Sequence, residues 1–253
     1  YLSDKKDKVI YDGEHARKAT NINPYLMDAP TVFIESRTKP ICEVPCMISG
    51  NRPADGGHLI LSKEEMNELI KVEPFSQNFI KRFMMGKEFL NGIPRYCLWL
   101  VNVSPEILHK MPYVMKRVEL CREDRLKGAP DRQKLAITPT LFRETRNPAK
   151  YIAIPVVSSE KRRYVPMGYL NGDTIAGNKL FIIPDATIFH FGILEANVHM
   201  AWMRTVAGKL KSDYSYSKNI VYNNFPWPNL TPAQKARIEK TAQGILDARK
   251  LYP

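Results

Sequence analysis

Residues 151–170, YIAIPVVSSEKRRYVPMGYL, indicate the architecture more clearly than any other part of the sequence. An apolar run of strand-forming residues leads to Ser158 and Ser159, four charged residues follow, and Tyr164-Val165-Pro166 then resumes the apolar pattern. Two such runs around a polar turn are typical of a β-hairpin, and Pro166 favours an edge strand or a strand end. We therefore predict a hairpin with its charged residues at the tip.

The charged residues at this tip have a spacing that suits base recognition. In an extended chain Glu160 and Arg162 point to one face, and Lys161 and Arg163 point to the other. A Glu accepts a hydrogen bond from the cytosine amine and an Arg donates two to guanine, so the first pair could read one C·G base pair and the second could serve phosphates. The alternative is a solvated turn in which Glu and Arg pair with each other, the better interpretation of an isolated SEKRR.

The composition predicts a folded chain with a polyanionic partner. With 253 residues, 44% apolar and 25% charged, it can bury one sizeable core or two modest ones. The formal net charge is +12, and residues 110–163 hold 14 Lys and Arg against 6 Asp and Glu, a net +8. A DNA footprint has this uneven charge, although RNA or an anionic membrane surface fits nearly as well.

The coarse pattern of elements predicts an α+β fold, a mixed sheet with hairpins packed on helices plus a C-terminal helix. Ser62 and Glu65 form a capping-box pattern, and Pro105 after Ser104 is typical of a first helical position. We predict helices after Ser62, Ser104 and Thr231, strands at 95–101, 180–183 and 187–191, and a central buried helix over 192–210.

Three further segments are candidates for contact with a polyanion. Arg52 lies in the turn-rich run 50–62, for which a connector is the preferred interpretation. Arg143 and Arg146 closely precede the first hairpin strand, so we predict that they contact phosphates. The run 209–218 is basic and aromatic and could clamp a nucleic-acid backbone, or it could be an ordinary surface loop.

The helical pattern before these segments is also basic. Val114, Val118 and Cys121 share one side of it, with four cations predicted largely off that side: Lys116, Arg117, Arg122 and Arg125. Such a helix could lie along a DNA backbone, but a solvated face is the commoner explanation.

Signatures of catalysis and metal binding are missing from the sequence. There is no Gly-rich cofactor loop after a strand, no Asn/Asp-Pro-Pro-aromatic tetrapeptide, no G-x-S-x-G turn and no convincing Asp…Glu-x-Lys set. Cys42 and Cys46 with His58 lack a fourth metal ligand, and His199 is best explained as a core histidine. The cysteines favour reduced thiols in a cytoplasmic protein, and no run of eighteen apolar residues or signal peptide occurs. We predict that the chain binds and does not catalyse alone.

Several long segments, in order along the chain, resemble the target-recognition region of MmeI-like (type IIG/IIL) restriction–modification enzymes. These are single chains that combine nuclease, adenine-N6 methyltransferase and DNA-reading domains. The similar segments are 21–41 (NINPYLMDAPTVFIESRTKPI), 50–62 (GNRPADGGHLILS), 89–100 (FLNGIPRYCLWL), 154–170, 178–217 and 222–228 (YNNFPWP). The resemblance covers nearly the whole chain and implies that Glu160 and Arg162 help to choose a base pair.

The resemblance also implies an organisation and a set of partners. Residues 1–49 would connect from a methyltransferase domain, 50–228 would recognise the target, and 229–253 would begin a C-terminal helical segment. The partners would be duplex DNA and the methyltransferase and nuclease domains of the same parent chain, with S-adenosylmethionine and Mg²⁺ used in those domains and no cofactor in this chain. The absence of an initiator Met and the ending at Pro253, just after a helical pattern, favour a piece of a longer protein.

The predicted function is therefore sequence-specific recognition of duplex DNA, which positions an adenine for N6 methylation by another domain. Structured-RNA binding and a stand-alone metal-dependent nuclease are the alternatives. The residues predicted to read bases are Glu160 and Arg162, and those predicted to contact DNA are Ser158, Ser159, Lys161, Arg163, Arg143, Arg146, Arg52, Lys209, Lys211, Ser212, Tyr214 and Lys218.

Overall fold

The computed structural model describes residues 7–24 and 26–251, in which two four-stranded sheets each pack against their own helices. The elements in chain order are β1 (Lys8–Asp12), β2 (His15–Ala19), β3 (Ile48–Ser49), β4 (Ile60–Leu61), α1 (Lys63–Val72), β5 (Ile80–Met84), α2 (Gly86–Asn91), β6 (Tyr96–Leu98), α3 (Pro105–His109), α4 (Pro112–Leu126), α5 (Pro130–Gln133), β7 (Lys150–Pro155), β8 (Val157–Ser158), β9 (Gly168–Asn171), β10 (Thr174–Ala176), β11 (Leu180–Pro184), α6 (Ile188–Leu194), α7 (Asn197–Val206), β12 (Gly208–Leu210), β13 (Asp213–Ser215) and α8 (Pro232–Leu251). Short 3₁₀ segments lie at Pro74–Phe79 and Lys134–Ile137, and a π-helical turn lies at Lys218–Tyr222.

The first sheet has the strand order β10-β5-β6-β4 and is mixed, since β10 runs parallel to β5 and the other pairs are antiparallel. Its core includes Leu59, Leu98 and Val118, packed among α1, α3 and α4. The predicted capping box is confirmed, because the Ser62 hydroxyl accepts from the Glu65 N–H at 3.1 Å while the Glu65 carboxylate accepts from the Ser62 N–H at 2.8 Å.

The second sheet has the order β3-β11-β7-β9 and is antiparallel throughout. Strands β7 and β9 pair with Ile152 opposite Tyr169, so the predicted hairpin is confirmed at its base. One face of the sheet packs against α6, α7 and α8 around Ile152, Ile183 and Phe191. Together the two sheets and their helices confirm the α+β class, with several small sheets in place of one.

The predicted strand at 187–191 and the single helix over 192–210 are wrong. Thr187 caps a helix instead, with its backbone N–H donating to His190 Nδ1 at 3.0 Å, and α6 then buries Phe191 against α8. The helix ends at Leu194, and α7 starts at Asn197 with a buried face of His199, Met200 and Met203. The sequence pattern did not indicate this break, because residues 192–210 are apolar on almost every side. The break depends on tertiary packing.

Helix α8 is fastened to the second core at two places. A Cβ at Gly192 would lie 2.8 Å from Ile238 Cγ2, so only glycine permits the close approach of α6 and α8. Near the other end, Arg249 donates to Met167 O at 2.5 Å and to the buried carboxylate of Glu195 at 2.8 Å. Burial raises the pKa of Glu195, although Arg249 opposes that shift.

The N-terminal segment also contacts the second core. Its β1–β2 ribbon is followed by a stretch that hydrogen-bonds to the π-helical turn, with the Arg37 N–H donating to Asn219 O at 3.0 Å, and then by Ile48–Ser49 as an edge strand. The predicted boundary at 49/50 therefore falls in chain packed on the sheet, and the three-part division stays a prediction. Residues 1–6 and 25 of the predicted first part and residues 252–253 of the predicted last part lie outside the described residues. No helix in the described part of the chain is both long and apolar enough to cross a bilayer.

Candidate nucleic-acid interface

The charged residues predicted to read bases lie in the tip loop, which we define as residues 159–167 between β8 and β9. The Arg162 N–H donates to Ser159 O at 3.1 Å, a turn rather than an extended strand. The premise that 160–163 alternate between two faces is therefore wrong. The roles of Glu160 and Arg162 in base reading stay a prediction, now resting on the family resemblance and on the exposure of the loop.

All four charged side chains of the tip loop are exposed: Glu160, Lys161, Arg162 and Arg163. Within residues 7–24 and 26–251 none of them forms an ion pair. The Arg163 guanidinium carbon lies 5.5 Å from the centre of the Tyr164 ring. The alternative of a Glu160–Arg162 pair is not realised, so both side chains are available to an incoming ligand.

A second hairpin lies beside the tip loop. The run 209–218 contains β12 and β13 instead of the predicted loop, and β13 pairs with β8 so that Tyr214 lies opposite Ser158. Lys209 Nζ is 5.2 Å from the centre of the Tyr214 ring, and Lys211 and Ser212 form the exposed turn. Lys218 is half-buried at the start of the π-helical turn. The structure thus joins two predicted contact segments into one surface.

Ser158 does not fit its predicted contact with DNA. Ser158 lies in β8, which pairs with β13, and only 3% of the residue is exposed. Its hydroxyl is buried without a hydrogen-bond partner in the described part of the chain. Ser159, the next residue, is half-buried at the wall of a cleft and remains compatible with its predicted contact.

The predicted contacts Arg52, Arg143 and Arg146 come together in a second basic cluster. The Arg143 N–H donates to Arg52 O at 2.9 Å, and the Glu144 carboxylate accepts from the Arg52 N–H at 2.8 Å. Arg146 donates from its guanidinium to Ser49 O at 2.8 Å, so part of its donor capacity is already used. All three arginines are exposed residues on neighbouring segments of backbone, and Arg143 forms an ion pair with Glu144 at 3.8 Å.

The predicted basic face of α4 is partly structural. Arg125 is fully buried, and its guanidinium donates to five backbone carbonyls, those of Pro53, Ala54, Leu135, Thr138 and Leu141. Arg117 donates to His58 O at 2.7 Å and to Ile60 O at 3.1 Å. Neither is free to lie along a DNA backbone, whereas Lys116 and Arg122 are not buried.

A cleft of about 680 Å³ extends the surface around the tip loop. Ser159 and Arg162 line one part of it, and Lys87 of α2 and Lys179 before β11 line another. Both lysines are exposed. Neither lysine was predicted as a contact from the sequence, because no local pattern marks a lone lysine as part of a surface that only the fold assembles.

Buried polar groups stabilise the scaffold behind this surface. His199 is fully buried, its Nε2 lies 3.0 Å from the Tyr216 hydroxyl, and desolvation lowers the pKa of the imidazole to about 3. Desolvation also raises the pKa of Tyr216 well above its usual value. Among the described residues no group of three or more His, Cys, Asp and Glu side chains could hold a metal ion.

An exposed charged loop on a packed scaffold is the arrangement of a domain that recognises a macromolecule. The comparison with known families makes this specific. The MmeI target recognition domain matches residues 28–229, so the chain belongs to the MmeI target recognition domain family.

Two relatives support this assignment. The chain is 40% identical over 251 residues to DNA methyltransferase A of Bacillus subtilis (strain 168), a match that covers 98% of this chain and 29% of that protein. It is also similar to a solved structure of the type IIL restriction–modification enzyme MmeI in complex with DNA, with a TM-score of 0.93 and 39% identity over 100% of this chain and 35% of that one. The chain thus spans about a third of the length of these relatives.

Proposed function

We propose that this chain recognises a specific sequence in duplex DNA on behalf of a longer restriction–modification protein. Other domains of that protein would methylate adenine N6 and cleave DNA, and S-adenosylmethionine and Mg²⁺ would act in those domains. The observation that carries the proposal is the exposed tip loop in a chain of the MmeI target recognition domain family. The charged side chains of this loop form no ion pair in the described part of the chain.

The affinity comes from cations around the tip loop. Lys161 and Arg163 are exposed in the loop and Lys209 and Lys211 are exposed beside it. Lys87 and Lys179 extend the charge into the cleft. Each phosphate that such a side chain neutralises releases condensed counterions, which lowers the logarithm of the affinity by about 0.9 per tenfold rise in salt. Contacts of this kind fix register on the duplex and carry no sequence information.

We expect binding to duplex DNA to weaken steeply with salt and to resist competition by RNA. The affinity of the chain for a fluorescent duplex would be titrated between about 50 and 200 mM salt, with unlabelled duplex DNA and a structured RNA as competitors. Replacing Lys87 and Lys179 by Ala should reduce the salt slope by about 2. RNA that competes better than duplex DNA would favour the alternative function, and DNA cleavage by the chain with Mg²⁺ would favour a nuclease.

The base-reading role predicts an exchange of specificity. In the double variant Glu160→Lys/Arg162→Asp, Lys suits guanine and Asp suits the cytosine amine, so we expect the preference for one C·G pair to become a preference for G·C. A good bidentate contact contributes about 1–3 kcal/mol of discrimination, or roughly 5- to 150-fold. The measurement is the ratio of affinities for two duplexes that differ only in that base pair.

A matched control lies in the same loop. Lys161→Ala/Arg163→Ala removes two exposed cations and should weaken binding to both duplexes equally, because phosphate contacts do not depend on sequence. If the Glu160→Lys/Arg162→Asp variant kept the original preference, the assignment of these two residues to base reading would be wrong.

A further inference from the structure

Residues 160–164 of the tip loop are held by α7 and by the β12–β13 hairpin that follows it. The end of the loop is held separately, because Val165 and Met167 are buried in the second core and Arg249 of α8 donates to Met167 O. The Asp213 carboxylate of β13 accepts from the Glu160 N–H at 3.2 Å. The Arg204 guanidinium of α7 donates to the carbonyl of Arg163, and the Tyr164 hydroxyl donates to Asn197 Oδ1 at 2.8 Å. Asp213, Arg204 and Asn197 thus form hydrogen bonds with the loop on both sides of Arg162.

The side chains that hold the loop lie outside the apolar core. Asn197 and Arg204 are seven residues apart, so they project from the same side of α7, and both are exposed. Met200, which is three residues after Asn197 and four before Arg204, lies on a neighbouring stripe of α7 and packs into the second core with Met203. Asp213 is half-buried and makes no ion pair in the described part of the chain. We therefore expect the loss of any of the three to loosen residues 160–164, while the buried Val165 and Met167 keep the end of the loop and the core packing in place.

Holding the loop matters because a bidentate contact with a base edge tolerates little displacement. No residue of the loop between β8 and β9 belongs to a strand. The hydrogen bond from the Arg162 N–H to Ser159 O is that of a turn. The direction in which Glu160 and Arg162 point is thus set largely by the contacts from α7 and β13.

We propose that Asp213, Arg204 and Asn197 are positioning residues that set how strongly the tip loop prefers its base pair, without themselves touching DNA. The inference rests on the proposed function, since it concerns the loop assigned there to base reading. It adds specificity-determining residues that lie outside the loop.

The test separates preference from affinity. For each protein the affinity ratio would be measured between a preferred duplex and one with the critical base pair exchanged, together with the affinity for unrelated duplex DNA. We expect Asp213→Ala to lower the ratio about fivefold, the equivalent of one ordinary hydrogen bond, with unrelated DNA bound at least as tightly as before because a negative charge is lost. Asp213→Asn retains an acceptor for the Glu160 N–H and should restore most of the ratio.

Arg204→Ala is an independent second test. It removes the hydrogen bond to the Arg163 carbonyl and should lower the affinity ratio between the two duplexes by a similar factor. Val198→Ala is the matched control on α7, since this residue is 72% exposed and contacts no part of the loop by hydrogen bonds. Thermal melting would verify that each variant is folded. An unchanged ratio in folded Asp213→Ala and Arg204→Ala variants would overturn the proposal. A wild-type chain that binds DNA with no preference would instead overturn the proposed function.

Discussion

Replacing Arg125 by Met is expected to lower the free energy of unfolding by about 3–5 kcal/mol, the range seen when a buried polar network loses its central member. Its guanidinium uses all its donor nitrogens on the carbonyls of 53–54 and 135–141. The carbonyls of Pro53, Ala54 and Leu141 accept no other hydrogen bond among the described residues. Met fills the space and leaves these acceptors without donors.

Urea unfolding followed by circular dichroism would measure this loss. Arg122→Met is the matched control, because Arg122 lies on the same helix, is exposed and, among the described residues, forms only an exposed ion pair with Glu119. The free energy of unfolding of this variant should therefore stay within about 0.5 kcal/mol of wild type. Arg125→Lys should be intermediate, since an ammonium group cannot span the five carbonyls. Equal unfolding midpoints for Arg125→Met and Arg122→Met would show that the network contributes little.

The second large effect is a loss of stability in acid that depends on His199. Burial holds this imidazole neutral and lowers its pKa to about 3, whereas in the unfolded chain it protonates below about 6.5. Between these values the unfolded state binds more protons, so stability rises with pH and is lost as pH falls. The slope is at most about 1.4 kcal/mol per pH unit, and the loss of stability between pH 7 and pH 5 is about 2 kcal/mol.

His199→Gln should flatten this dependence, because the amide does not titrate and can still pair with the Tyr216 hydroxyl. Burial and Lys235 also lower the pKa of His190, which adds loss in acid, whereas the raised pKa of Glu195 acts in the opposite direction. The measurement is therefore the difference between wild type and variant in unfolding free energy at pH 7 and pH 5. A variant as sensitive to acid as wild type would mean that His199 does not control the effect.

Local signals in the sequence predicted several elements correctly. The capping box at Ser62 and Glu65, the helix start at Ser104-Pro105 and the base of the 151–170 hairpin are each set by neighbouring residues or by a clear alternation of apolar side chains. The family resemblance added the class of domain, which composition alone could not distinguish from an RNA-binding protein.

The errors have a common physical cause, which is contact between residues far apart in sequence. The cation Arg125 is buried because two distant loops present five carbonyls to it. The run 187–191 is helical because Thr187 caps it and α8 covers it, although its β-branched and aromatic residues favour a strand. The tip loop is a turn because α7 and β13 hold it. None of these contacts leaves a local pattern.

The central claim is that this chain reads base sequence in duplex DNA through the tip loop. It is tested most directly by selecting bound molecules from a random duplex pool with the wild-type chain at near-physiological salt. We expect one enriched motif of fixed length that contains a C·G pair whose identity depends on Glu160 and Arg162. Salt-sensitive binding that enriches no motif would contradict it.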